Sequence, residues 1–110
     1  MRKFHRIQGR RKSFLRALEN NLIMRERIKT TEARAKEIRP RVEKLVSMAK
    51  KQNLASFRIL LAKLPHGAAA KLYNEIAPRY KDRAGGYLRI LKTAVRRKRD
   101  AAKQAVIEFV

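Results

Sequence analysis

From Phe14 to Ile76 the apolar residues of this chain recur every three or four positions; after Gly86 they do not. A spacing of three and four lays side chains along one face of a helix, whereas short β-branched and aromatic runs suit strands. Helices therefore come first and most of the sheet last, and both must share one core. One core is what 110 residues allow, because a domain of this size buries roughly two thirds of the surface its unfolded chain exposes. The expected architecture is α+β: a two-layer single domain, about four helices packed on a small three-stranded mixed sheet, with a basic N-terminal arm.

The first helix is expected to start between Arg10 and Ser13 and to reach about Glu26, with Phe14, Leu15, Leu18 and Leu22 on one face. Residues 27–31, RIKTT, are β-branched enough for a short strand. Thr31 then offers a hydroxyl to cap the second helix, and Glu32 brings negative charge to the positive end of its dipole. That helix, about 32–51, has the cleanest pattern: Ala35, Ile38, Val42, Leu45 and Ala49, with Val46 beside them. Pro40 lies inside it, lacks an amide donor and crowds the preceding turn, so a kink or two abutting helices is expected. Asn53 can cap a third helix, about 54–64, closed by Pro65 and Gly67. A fourth is expected from Ala68 to Ile76, with Pro78 ending it. The runs GYLRILKTAV and QAVIEFV read as two antiparallel strands joined by a polar link from Arg96 to Lys103.

Charge narrows the function. Thirty Lys and Arg stand against nine Asp and Glu, a net charge of +21. A chain this basic repels itself, and a polyanionic partner relieves that repulsion. There is no cysteine, so neither a disulfide framework nor a thiolate zinc site is available. No apolar run approaches the ~18 residues of a membrane span, and no apolar stretch follows the basic start as a secretory signal requires. Catalysis has little to work with. His5 lies in the basic arm and His66 beside Pro65 and Gly67, while Glu19, Glu26, Glu32, Glu37 and Glu43 sit among Lys and Arg and read as surface ion pairs. Neither an enzyme, nor a cofactor, nor a metal site is expected.

The candidate contacts with a polyanion fall in two stretches. Residues 1–12 form an arm, ahead of a globular domain of residues 13–110. The arm holds Arg2, Lys3, Arg6, Arg10, Arg11 and Lys12 and no acid. Such a segment reads as an extended arm, disordered when alone, that orders on its partner. The second stretch runs from Arg79 to Arg99 and contributes Arg79, Lys81, Arg83, Arg89, Arg96, Arg97, Lys98 and Arg99. Arginine outnumbers lysine there, and its planar guanidinium can hold phosphate through two parallel hydrogen bonds. Gly85 and Gly86 stand in the middle. Two readings of them are open: a concave backbone site for an anion, or a plain turn that starts a strand. Tyr80 and Tyr87 flank the turn, suited to packing or, less often, to stacking on a base. Arg89 and Lys92 lie three apart on a strand and so face opposite ways, which puts at least one of them at an edge or on the outer face. No helix-turn-helix, zinc finger or basic-region heptad appears, and the charge is spread over nearly the whole chain. That distribution suits a protein embedded in folded RNA.

The segments ERIKTTEARAKEIRPRVEKLVSMAK (26–50) and KLYNEIAPRYKDRAGGYLRILK (71–92), with HRIQGR near the start and AVIEFV at the close, resemble the bacterial large-subunit ribosomal protein seventeen family. The likeness covers nearly the whole chain. Between HRIQGR and the Arg11–Lys12 pair this chain has fewer residues than that family usually carries. The resemblance implies a structural protein of the large ribosomal subunit that binds its ribosomal RNA directly, by phosphate neutralisation and shape. It further implies neighbouring ribosomal proteins near the polypeptide exit tunnel, no membrane, no small-molecule substrate, and a place in a cytoplasmic or organellar ribosome. Two other classes compete: a DNA-compacting nucleoid protein, and a cationic membrane-active protein with an exposed amphipathic helix.

Overall fold

A computed structural model describes residues 4, 7–96, 98 and 100–110, Val95 by its backbone alone. Helix α1 spans Gln8–Arg25, strand β1 Arg27–Thr31, helix α2 Glu32–Ala49 and helix α3 Leu54–Lys63. Helix α4 (His66–Lys71) continues through a π-helical turn, Leu72–Ile76, into the short α5 (Ala77–Arg79). Strands β2 (Leu88–Arg96) and β3 (Lys103–Phe109) complete the chain. The fold is α+β as expected, a layer of helices on a three-stranded sheet.

The sheet order is β1-β3-β2. Both pairings are antiparallel, so the sheet is not mixed. The cause is the path of the chain: β2 and β3 form a hairpin, and β1 runs alongside β3 in the direction of β2. The rows Arg27–Glu108–Arg89 and Lys29–Val106–Leu91 lie on the outer face, and Ile28–Ile107–Ile90 on the inner one. The register between β2 and β3 shifts between Lys92 and Arg96. Arg89 and Lys92 do face opposite ways. Arg89 sits on the outer face, and Lys92 reaches from the β2 edge to Glu32, 3.6 Å away.

Helix α2 is the centre of the core. Ala35, Ile38, Val42, Leu45, Val46 and Ala49 are all buried, against Leu15, Leu22 and Ile23 of α1, Leu60 of α3, and Ala105, Ile107 and Phe109 of β3. The apolar faces of α1 and α2 are therefore committed to the interior, as a membrane-active helix would not allow. At 25 cal/mol per Å², each large aliphatic side chain so covered contributes roughly 1.5–3 kcal/mol before conformational entropy is set against it.

Local chemistry sets the boundaries. Thr31 caps α2 by accepting from the Arg34 amide at 3.3 Å. Asn53 caps α3 in a reciprocal box with Ser56, whose amide donates to Asn53 Oδ1 at 2.7 Å. Pro40 does not divide α2 in two. Its ring and Lys36, whose carbonyl loses a partner, are exposed, so water can serve the vacated acceptor. Helix α1 begins at Gln8, ahead of the expected start, which places Arg10, Arg11 and Lys12 on a helix. Pro65 and Gly67 open α4 instead of merely closing α3. Pro78 does not stop the chain's helical path at Ile76. The Ala77 amide bonds the Leu72 carbonyl, five residues back, and this wider turn makes room for the proline ring.

Candidate nucleic-acid interface

The sequence-predicted contacts separate into two ends of the molecule. At one end α1 begins, α2 begins and the β2–β3 hairpin turns. The Arg34 guanidinium lies 4.9 Å from the centre of the Phe14 ring, which ties α1 to α2 there. Ala102 and Lys103 share a shallow hollow with Thr31, Glu32 and Lys36. Arg10, Arg11 and Lys12 stand in the first turns of α1, whose first turn has no acid and whose N-cap, Ile7, offers no side-chain acceptor. Cations at the positive end of a helix dipole are unfavourable unless an anion joins them. The Nε of Arg11 is buried without a hydrogen-bond partner among the described residues. Arg96 and Lys98 are exposed on the hairpin. Arg2, Lys3, Arg6, Arg97 and Arg99 lie outside the described residues, as does His5.

The carboxylate at the start of α2 is Glu32, among Lys36, Lys92 and Lys103. Lys36 at 2.8 Å holds it below the usual 4.5, with Lys92 and Lys103 adding smaller attractions. Sequence reading had not singled out Arg34, Lys36 or Lys103 for this end. The signal available was β2–β3 hairpin pairing, which brings Lys103 opposite Arg96.

At the other end Lys50, Lys71 and Arg79 are held by the protein itself. The Glu26 carboxylate takes both Lys71, at 3.3 Å, and Arg79. The hydrogen bond from Arg79 lowers the Glu26 pKa from its usual 4.5, against the opposing effect of burial. Glu26 itself adopts a left-handed conformation (φ 63°), its amide on the Leu22 carbonyl at 2.6 Å and its carbonyl accepting from Phe109. That one residue joins α1, α4, α5 and β3.

The glycine turn is fastened from below. The Lys50 ammonium donates to the Arg83 carbonyl and, at 2.9 Å, to the Tyr87 hydroxyl, whose pKa it lowers. Gly86 takes φ +65°, a conformation that costs a side-chain-bearing residue about 1 kcal/mol or more. The amide that follows it, on Tyr87, donates to Glu43 Oε2 at 3.0 Å. The anion at this turn is thus a carboxylate of the same chain. Tyr80 and Tyr87 are buried, Tyr80 with its hydroxyl on the Val110 carbonyl at 2.7 Å, so neither ring is open to a base. Lys81 and Arg83 remain exposed, with Arg83 Nε turned to the Gly85 carbonyl at 3.2 Å.

On the sheet's outer face Glu108 sits between two cations, Arg89 at 2.7 Å and Arg27 at 3.5 Å. Arg27 and Lys29 of β1 share that face with Arg89 and were missed in the sequence, although strand alternation marks them. Glu19 is a further correction. It is buried, only 3% exposed, and held by Arg41 of α2, not a surface ion pair. Among the described residues no group of three potential ligands could hold a metal, and no helix is long and apolar enough to cross a membrane.

A family model described as ribosomal protein L17 matches residues 14–110. The chain belongs to the ribosomal protein L17 family. Membership makes it a structural ribosomal protein and not an enzyme. Among its relatives, the Large ribosomal subunit protein bL17 of Lactobacillus helveticus is 45% identical over an alignment covering 99% of this chain and 98% of the relative. Its counterpart in Thermodesulfovibrio yellowstonii is 48% identical, over 99% of this chain and 82% of the relative. That of Staphylococcus carnosus is 47% identical, over 99% and 98%. In L17 terms, the helical core and the glycine turn both fall inside the matched region, and the first turns of α1 precede it.

Proposed function

We propose that this L17-family chain is a structural constituent of the large ribosomal subunit that binds ribosomal RNA mainly through the end where α1 begins and the β2–β3 hairpin turns. The observation that carries this reading is the first turn of α1. Three cations stand in the first turns of a helix with no acid in its first turn and no side-chain cap, and the buried Nε of one of them has no partner among the described residues. Phosphates along an RNA backbone answer the charge, since they supply negative charge for the dipole and acceptors for the first-turn amides and the exposed basic side chains. Arg10, Arg11, Lys12, Arg96 and Lys98 neutralise phosphates there, joined by the arm residues Arg2, Lys3 and Arg6 and by Arg97 and Arg99. Lys81, Arg83 and Arg89 make a second, lesser contact. Gly85 and Gly86 serve it by shaping the turn, and Arg79 joins it from its place on Glu26. In the subunit its neighbours are other ribosomal proteins near the polypeptide exit tunnel, and the particle is the cytoplasmic ribosome or an organellar one.

Sedimentation of a lysate through a density gradient, at low salt and after a high-salt wash, tests the reading. The chain is expected to stay with the large subunit through the wash. Complete release, or migration with DNA, would place a nucleoid role first.

A further inference from the structure

A groove of about 1330 Å³ lies between α1, α2 and α3, and the RNA reading touches it only at its margins, through Lys12 on the rim and Gly85 at the glycine turn. Its floor is aliphatic: Leu45, Met48, Ile59 and Ala62, with Leu15 beneath. Ile59 is 40% exposed there, and Met48 is half-buried. Its rim is basic, with Lys12, Arg16, Lys44 and Lys63 exposed. The two carboxylates in the wall are already engaged, Glu19 by Arg41 and Glu43 by Arg39 and the Tyr87 amide. The groove therefore presents an apolar strip between basic side chains that form no ion pair among the described residues.

We infer that this groove receives an acidic amphipathic helix of another protein. Charge complementarity selects the occupant. A helix laid in a groove anchors through apolar residues at i, i+3 or i+4 and i+7, and carboxylates on its flanks meet the lysine and arginine rim. Met48 is suited to the floor because its unbranched, polarizable side chain adapts to what it meets. This chain's own basic N-terminal residues and a second copy of the chain would both bring like charge to the rim. RNA fits the floor poorly. Phosphate needs donors where the groove offers methyl and methylene groups. The aromatic ring in its lining, Tyr87, is 2% exposed and cannot stack on a base.

The inference does not depend on the ribosomal role. The test is photo-crosslinking in bacterial cells, with p-benzoylphenylalanine at position 59 or, in a second variant, at exposed position 62 of the full chain. The adducts are then digested and sequenced. The expected result is a protein adduct whose crosslinked segment carries net negative charge and apolar residues at helical spacing. Its yield should fall at least fivefold when the exposed rim is reversed by Lys44→Glu with Lys63→Glu. An adduct to RNA would overturn the inference, as would a segment lacking that pattern. So would a yield unchanged by the rim reversal, or one no higher than at exposed Asn74, away from the groove. Sedimentation of the same variants reports ribosome association separately, so failure of one reading is distinguishable from failure of the other.

Discussion

The two ends of this molecule carry similar basic sequence and use it in opposite ways. At the glycine-turn end, Lys50, Lys71 and Arg79 are spent on protein acceptors: a backbone carbonyl, a phenol and one shared carboxylate. At the hairpin end, Arg10, Lys12, Arg96 and Lys98 are exposed and in no ion pair among the described residues. A net charge of +21 is thus not that many free cations. The few acids are placed as clasps, with Glu26, Glu32 and Glu108 each holding two basic side chains. Charge that is clasped sets the fold, and charge that is left over meets the partner.

The contrast can be broken most sharply at the hairpin. Arg96→Glu combined with Lys98→Glu should weaken RNA binding by about a hundredfold at moderate salt and make its salt dependence shallower by about two phosphates. Stability should change by less than about 0.5 kcal/mol. Filter binding across a salt series and thermal melting read both quantities. The opposite pattern is expected for Lys50→Met, which removes the ammonium from the Arg83 carbonyl and the Tyr87 hydroxyl and leaves them only their own 3.3 Å bond. It should cost about 2 kcal/mol of stability in urea unfolding while leaving RNA affinity within threefold at matched folded fraction. Gly86→Ala should cost about 1 kcal/mol, because φ +65° must be kept by a residue with a Cβ. Gly85→Ala should cost nearly nothing, since its Cβ meets no atom within 4 Å and its φ is not left-handed.

A further effect is on acid stability. The Glu26 pKa is lowered in the folded state by its hydrogen bond from Arg79, so the unfolded chain binds that proton more readily. The stabilisation is present above the ordinary value of 4.5 and is lost as pH falls through the lowered one. Urea unfolding of the native chain should weaken over that acidic window by up to about 1 kcal/mol, a figure held down by partial solvent exposure. The Glu26→Gln variant should show a flatter pH profile there.

What was legible in the sequence was local. The α2 stripe, the Thr31 and Asn53 caps and the β2–β3 hairpin depend on residues close together in the chain, and each formed as its spacing required. Where α1 starts was not legible, because Gln8–Lys12 has no apolar stripe and no capping residue to announce a helix. Glu19 read as a surface residue because its partner, Arg41, arrives only through packing of α1 on α2. The glycine turn was legible as a turn. Whose anion it would face was not, since Glu43 reaches it from another helix. Basic residues could be counted in advance, but their division into clasped and free needed the tertiary contacts.

The strand order has a consequence for how the chain comes into being. β1 leaves the ribosome that makes it early, but its partner β3 is the last element synthesised, with Arg27 finally opposite Glu108. Neither edge of β1 has a mate until then, while α1 and α2 can already meet. Sheet closure is therefore a late, non-local event, of the kind that slows folding and leaves strand edges open to wrong partners. A nascent chain of this design has its helical half in place and waits on its C-terminal hairpin.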